Sequence, residues 1–252
     1  MFFLSPLVLI LFLSGFIHGL VGFAFALTAL PLLALFIGIK KAVPLLSLFS
    51  FTVNFLMLLV LKEKRLLKIP FTFFITIILG VLIGIKGFSL ATEKTLRWIL
   101  FIAIFIYFLW EIYQLKNSRK RDFTLTINPT FFNSYLSLGI AFLVGLLGGL
   151  LNTPGPPIVM YLSFLNFDKN LFKATLQLIF TFTSFTSAIN HYLVGNLSIE
   201  LVKLYVTFLP FVLVGLYLGQ KFYTKISTKV YYYLVNLFLL ISAFLLLMKD
   251  MH

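Results

Sequence analysis

Cysteine is absent from the 252 residues of this chain, which excludes disulfides, thiolate metal sites and thiol chemistry. Acidic residues are scarce: seven Asp and Glu stand against twenty Lys and Arg. No apolar span carries a carboxylate near its centre. Glu111 comes nearest, about one turn from a span end. Intramembrane carboxylates are the usual proton and cation carriers, so a cation pump or a sodium cage built on Asp or Glu is not expected. Three His with no spacing that gathers them argue against a metal site, and no cofactor is expected.

Charged residues make up 11% of the chain, against about 25% in soluble domains. Apolar residues make up 61%, with 32 Phe among them. A soluble fold of this size could not hide so much apolar surface. A soluble enzyme, a soluble nucleic-acid-binding domain and a disordered chain are therefore excluded, and the solvent is a lipid bilayer. The net charge of +13 would suggest nucleic acid in a soluble protein. Here Lys and Arg flank apolar segments, as in membrane proteins generally, and no nucleic-acid partner is expected. The opening Met-Phe-Phe-Leu-Ser-Pro lacks a basic stretch and no Ala-x-Ala follows, so the first segment is read as retained.

Charge-free runs locate the spans. Phe2 to Gly38 opens the chain, followed by Ala42–Leu61, Ile69–Ile85 and Thr95–Leu115. A polar linker at 116–133 divides residues 1–115 from residues 134–252, and the pattern restarts. Phe123–Phe167 is followed by Ala174–Ile199, Leu204–Gln220 and Val230–Met248. Gly19, Gly22 and Pro31 fall on Gly145, Gly148 and Pro157 at an offset of 126, and later markers repeat in the same order. The pattern predicts an all-α, polytopic membrane protein of about eight transmembrane segments in two homologous repeats. The first segment of each repeat is too long for one helix and short for two crossings, so it is broken or hairpin-like. A hairpin gives the more uneven division of Lys and Arg between the two sides, and eight and ten passes both stand open. Internal repeats of this kind recur in secondary transporters, whose halves rock around a midplane site.

The most informative stretch runs from Gly145 to Pro157. Asn152-Thr-Pro-Gly-Pro-Pro157 cannot continue a helix, because Pro154, Pro156 and Pro157 lack donors and clash with the preceding turn. A break in hydrocarbon is tolerated where it lines a watery cavity. A half-helix starting near Pro157 would aim its positive end into that cavity, which suits an anion. Main-chain N–H groups near Gly155 and Ile158, with Asn152 and Thr153, are the expected solute contacts. The first-half equivalent, with Thr28 and Pro31, has a single proline and should break more gently. A kink that only shapes packing is the plainer alternative. Asn54 and Asn190 lie on matching polar faces, expected to line the path or to bond between helices. His18 and His191 are the titratable candidates for proton coupling within the spans.

These residues carry a resemblance. Gly15-Phe-Ile-His-Gly-Leu-Val-Gly22, its echo Gly145-Leu-Leu-Gly-Gly149, and the break at Asn152–Pro157 resemble the sulfite exporter TauE/SafE family of membrane transporters. Asn190 with Gly195-Asn196, and Gly215-x-x-x-Gly219, fit its later markers. The resemblance implies an inner-membrane carrier of sulfite, sulfonates or related small sulfur-containing anions; a proton as coupling ion rests on His18 and His191 alone. An anion channel or a carrier of another small organic anion is the alternative. An intramembrane Ser/His hydrolase would need a nucleophile elbow, and no Gly-x-Ser-x-Gly occurs. A scaffold role would need extramembrane mass, which is nearly lacking.

Overall fold

A computed structural model describes residues 4–61, 69–116, 132, 134–163 and 169–222. Among them lie nine helices and no strand. In chain order they are α1 (Leu4–Val21), α2 (Phe25–Ile37), α3 (Ile39–Val60), α4 (Phe71–Leu90), α5 (Glu93–Lys116), α6 (Tyr135–Leu151), α7 (Gly155–Ser163), α8 (Lys169–Leu193) and α9 (Ile199–Phe222). The all-α polytopic expectation holds. By length and composition, α3, α4 and α9 are each able to cross a membrane. Leu79, Ile83, Val206 and Val214 stand exposed along α4 and α9, where lipid is the matching solvent. The expected span at Val230–Met248, residues 62–68 and nearly all of the polar linker lie outside the described residues.

Each opening segment is broken into a longer and a shorter helix. α2 has 13 residues and α7 has nine. At 1.5 Å per residue they reach about 20 Å and about 14 Å, short of a hydrocarbon core of about 30 Å. α4 runs on past Lys86 to Leu90, because a lysine at a span end can extend its stem to the interface. Lys40 Nζ donates to Phe88 O and Ser89 O, closing the carboxyl end of α4 from the start of α3.

The two halves interlock. The most extensive contacts join α4 to α6 and α1 to α9, one helix from each half in both pairs, and α3 to α8 follows. Glycine makes the close pairs possible. A Cβ on Gly15 or Gly19 would lie 2.5 or 2.2 Å from the carbonyl oxygens of Val212 and Leu216 in α9. On Gly145 or Gly149 it would lie 2.1 or 2.4 Å from those of Ile77 and Val81 in α4. The partners reciprocate: Gly215 and Gly219 meet Phe12 O and Phe16 O, while Gly80 and Gly84 meet Phe142 O and Leu146 O. Only a hydrogen fits at these positions.

That symmetry corrects the repeat register. Gly15 and Gly19 play the parts of Gly145 and Gly149, an offset of 130 (145 − 15) rather than 126. The difference is about one helical turn. Apolar helices rich in glycine match nearly as well when slipped by a turn, so composition alone does not fix the register.

Candidate functional site

The corrected register aligns the two breaks residue by residue. α1 ends at Val21 and is followed by Gly22, whose φ is +87° and whose N–H donates to His18 O at 2.6 Å. Ala24 is also left-handed, at φ +86°, and α2 starts at Phe25. In the second half α6 is capped by Asn152 at φ +54°, with its N–H on Gly148 O, and α7 starts at Gly155. Gly22 thus matches Asn152, and Phe25 matches Gly155.

Two expectations change here. The first break is not gentler: two left-handed residues turn the chain without any proline, and Pro31 lies buried inside α2. The second break is shorter than Asn152–Pro157, because Pro156 and Pro157 belong to the first turn of α7. Proline is tolerated there, where an N–H would lack an intrahelical partner anyway.

Each break is braced from the opposite half. Gln177 of α8 donates Nε2 to Gly22 O, and the Lys173 stem covers Gly22 so closely that a Cβ would lie 2.4 Å from Lys173 Cε. Asn152 donates Nδ2 to Ser50 Oγ of α3 at 2.8 Å. Ser187 of α8 donates to Gly148 O at 3.2 Å, holding the end of α6.

Both breaks open onto one cavity of about 30 Å³, room for a few water-sized groups. Residues 24–27 and 152–155 form facing parts of its wall, His18 enters from α1, Ser50 and Asn54 from α3, and Phe180 and Ser184 from α8. Phe25, Leu27, Pro154 and Phe180 make much of the lining apolar. Within this setting Asn54 Oδ1 and Thr153 Oγ1 have no partner, and neither ring nitrogen of His18 makes a well-formed hydrogen bond, with the Gln177 side chain beside the ring. His18 and Thr153 are each 1% exposed, and Asn54 is 5% exposed. An unsatisfied buried polar group costs on the order of 1–3 kcal/mol. Three such residues around one cavity mark a place where a polar solute fits.

The sequence-derived candidates divide. Asn152, Thr153, Gly155, Asn54 and His18 line the cavity. Ile158 is fully buried in α7 and not part of the wall. Thr28 Oγ1 lies 2.9 Å from both Ala24 O and Phe25 O, so its hydroxyl serves its own helix. Asn190 donates to Thr186 O at 2.8 Å within α8. His191 sits at the far end of α8, its Nδ1 3.1 Å from Asn196 Nδ2 and its ring edge-on to Phe88 at 5.1 Å. Sequence reasoning missed the opening turn of α2, Phe180 and Ser184. Gly22 was the available signal for the first of these.

Interlocked apolar helices, with two breaks around a mostly apolar cavity that carries a few polar side chains, fit the architecture of a helical membrane transporter. The chain belongs to the sulfite exporter TauE/SafE family, whose profile matches residues 7–246, nearly its whole length. This is a family of membrane transporters, not of enzymes. No curated protein and no solved structure gives a match.

Proposed function

We propose that the protein is a secondary carrier of small sulfur-containing oxyanions, sulfite or an organosulfonate, in the inner cell membrane. The observation that carries this reading is the cavity between the two breaks, with the unpartnered side chains of His18, Asn54 and Thr153 around it. An oxyanion offers acceptors to a His18 ring N–H, to the Thr153 hydroxyl and, through its Nδ2 rather than the unpartnered Oδ1, to Asn54, and it needs no carboxylate partner. Asn152, Thr153, Gly155 and Asn54 form the solute site in this reading. Thr28, Pro31 and Ile158 shape the half-helices behind it, and Asn190 belongs to the packing of α8. The repeats are 1–115 and 134–252, joined by the linker at 116–133.

Alternating access follows from the same frame, with one change from two rocking repeats. α1 is fastened to α9 and α4 to α6 by glycine contacts, so the bodies that move are these cross-repeat pairs. The α3–α8 contact and the two breaks are the joints between them. His18 is the proton-coupling residue, because its ring lies in the cavity and that of His191 does not. Lys173 and Gln177 of α8 are the charged and polar side chains beside it, and Phe25 of α2 stands edge-on at 6.3 Å.

Labelled-sulfite flux into proteoliposomes tests the reading. Saturable flux, accelerated by a pH gradient and competed by other sulfur oxyanions, is expected. His18→Gln is expected to lose the acceleration by the pH gradient and also to weaken the affinity for sulfite, since His18 lines the cavity. Protein shown to be folded that moves no sulfite, sulfonate or thiosulfate above empty liposomes would contradict it.

A further inference from the structure

The two breaks frame one cavity and align position by position, yet they differ in one chemical respect. The first four N–H groups of a helix have no intrahelical partner. At the start of α2 these belong to Ala24, Phe25, Ala26 and Leu27, all of which carry an N–H. Thr28 N is the first to bond back, to Ala24 O at 3.0 Å. At the start of α7 the equivalent residues are Pro154, Gly155, Pro156 and Pro157, and Gly155 alone has a donor. Residues 24–27 line the cavity. So do the buried, unpartnered side chains of His18 and Thr153, which is independent evidence that a ligand belongs there.

We infer that the oxyanion seats on the opening turn of α2, its oxygens accepting from the main-chain amides of Phe25, Ala26 and Leu27 and from the side chains of His18 and Thr153. This inference rests on the oxyanion reading above and gives it a place. The opening turn of α7, stripped of donors by its prolines, is the stiff opposing wall. The positive end of α2 adds to the attraction. Three main-chain donors on one turn favour an acceptor-rich anion over an ammonium group.

The test grafts the chemistry of one break onto the other. Ala26→Pro removes one amide from the first turn of α2, where proline is tolerated, and reproduces what Pro156 does in α7. Binding of labelled sulfite to the purified full-length protein should weaken by about tenfold or more, as for a lost hydrogen bond to a charged group. Pro156→Ala with Pro157→Ala, which restores two amides to the opposing turn, should not weaken binding. Hydrogen exchange on the wild-type protein gives a second readout that needs no variant. Added sulfite should slow the amides of residues 25–27 and leave those of 158–160 unchanged. Wild-type binding with protection at 158–160 instead, or with a folded Ala26→Pro protein of wild-type affinity, would overturn the cradle and leave the carrier reading standing. Wild-type protein that binds neither sulfite nor any other sulfur oxyanion would overturn both.

Discussion

The break after α1 and the break after α6 turn the chain at equivalent residues, and they do so by different chemistry. The first uses Gly22 and a left-handed Ala24, and it leaves its following helix with a full set of free amides. The second uses Asn152 and prolines, and α7 opens with one donor. Around them the scaffold is nearly symmetric, with glycine pairs holding α1 on α9 and α6 on α4. Each break is braced from the opposite half, Gly22 by Gln177 and Asn152 by Ser50. The contrast teaches that the scaffold keeps the symmetry needed for a two-way motion, while the lining gives up symmetry to hold one solute.

The largest effect is expected where the halves are alike. Gly19→Leu and Gly149→Leu each drive a side chain onto a carbonyl oxygen, with even the Cβ at 2.2 or 2.4 Å. Backbone cannot yield as a side chain does. Both variants should lose most of their monodisperse yield on size exclusion, to a similar degree. A normal yield from either would break the symmetry of the scaffold.

Next come the side chains of the lining. Thr153→Val and Asn54→Leu remove unpartnered polar groups at nearly constant shape, and each should weaken sulfite transport about tenfold in KM. Asn190→Ala serves as the comparison, since its amide bonds its own helix, and its KM should stay within about twofold. Equal losses at Asn54 and Asn190 would move the path along α8.

The smallest effects compare two left-handed residues, and their signs should differ. Ala24→Gly relieves a conformation that costs an L-residue about 1–2 kcal/mol, less the added unfolded-chain entropy, so the unfolding midpoint should rise by a few degrees. Asn152→Gly keeps the left-handed turn but loses the bond to Ser50. Its midpoint should fall, by about 1 kcal/mol of stability. Thermal unfolding of both purified variants reads the two shifts directly.

Much of this fold was legible in the sequence, because charge marks the ends of apolar helices. The spans predicted from Ala42, Thr95 and Leu204 correspond to α3, α5 and α9, with ends displaced by a few residues. The second break was legible from its prolines, although two of them lie inside α7. The first was not, since an alanine in a left-handed conformation leaves no mark in composition and Gly22 is one glycine among several. The register of the repeat was off by a turn for a related reason: the deciding contacts are between glycines and carbonyls of another helix, which sequence does not display. Asn54 and Asn190 looked equivalent on their helix faces. Only the fold separates the one at the cavity from the one bonded to its own backbone.

Counterflow tests the central claim most directly. Proteoliposomes are loaded with unlabelled sulfite and diluted into labelled sulfite at low concentration, with liposomes lacking the protein as the reference. The account predicts that internal sulfite accelerates uptake and drives the label transiently above its equilibrium level, because a carrier returns faster with solute in its cavity. Uptake that rises only to equilibrium, and at a rate indifferent to the internal sulfite, would contradict a carrier built around the meeting of the two breaks.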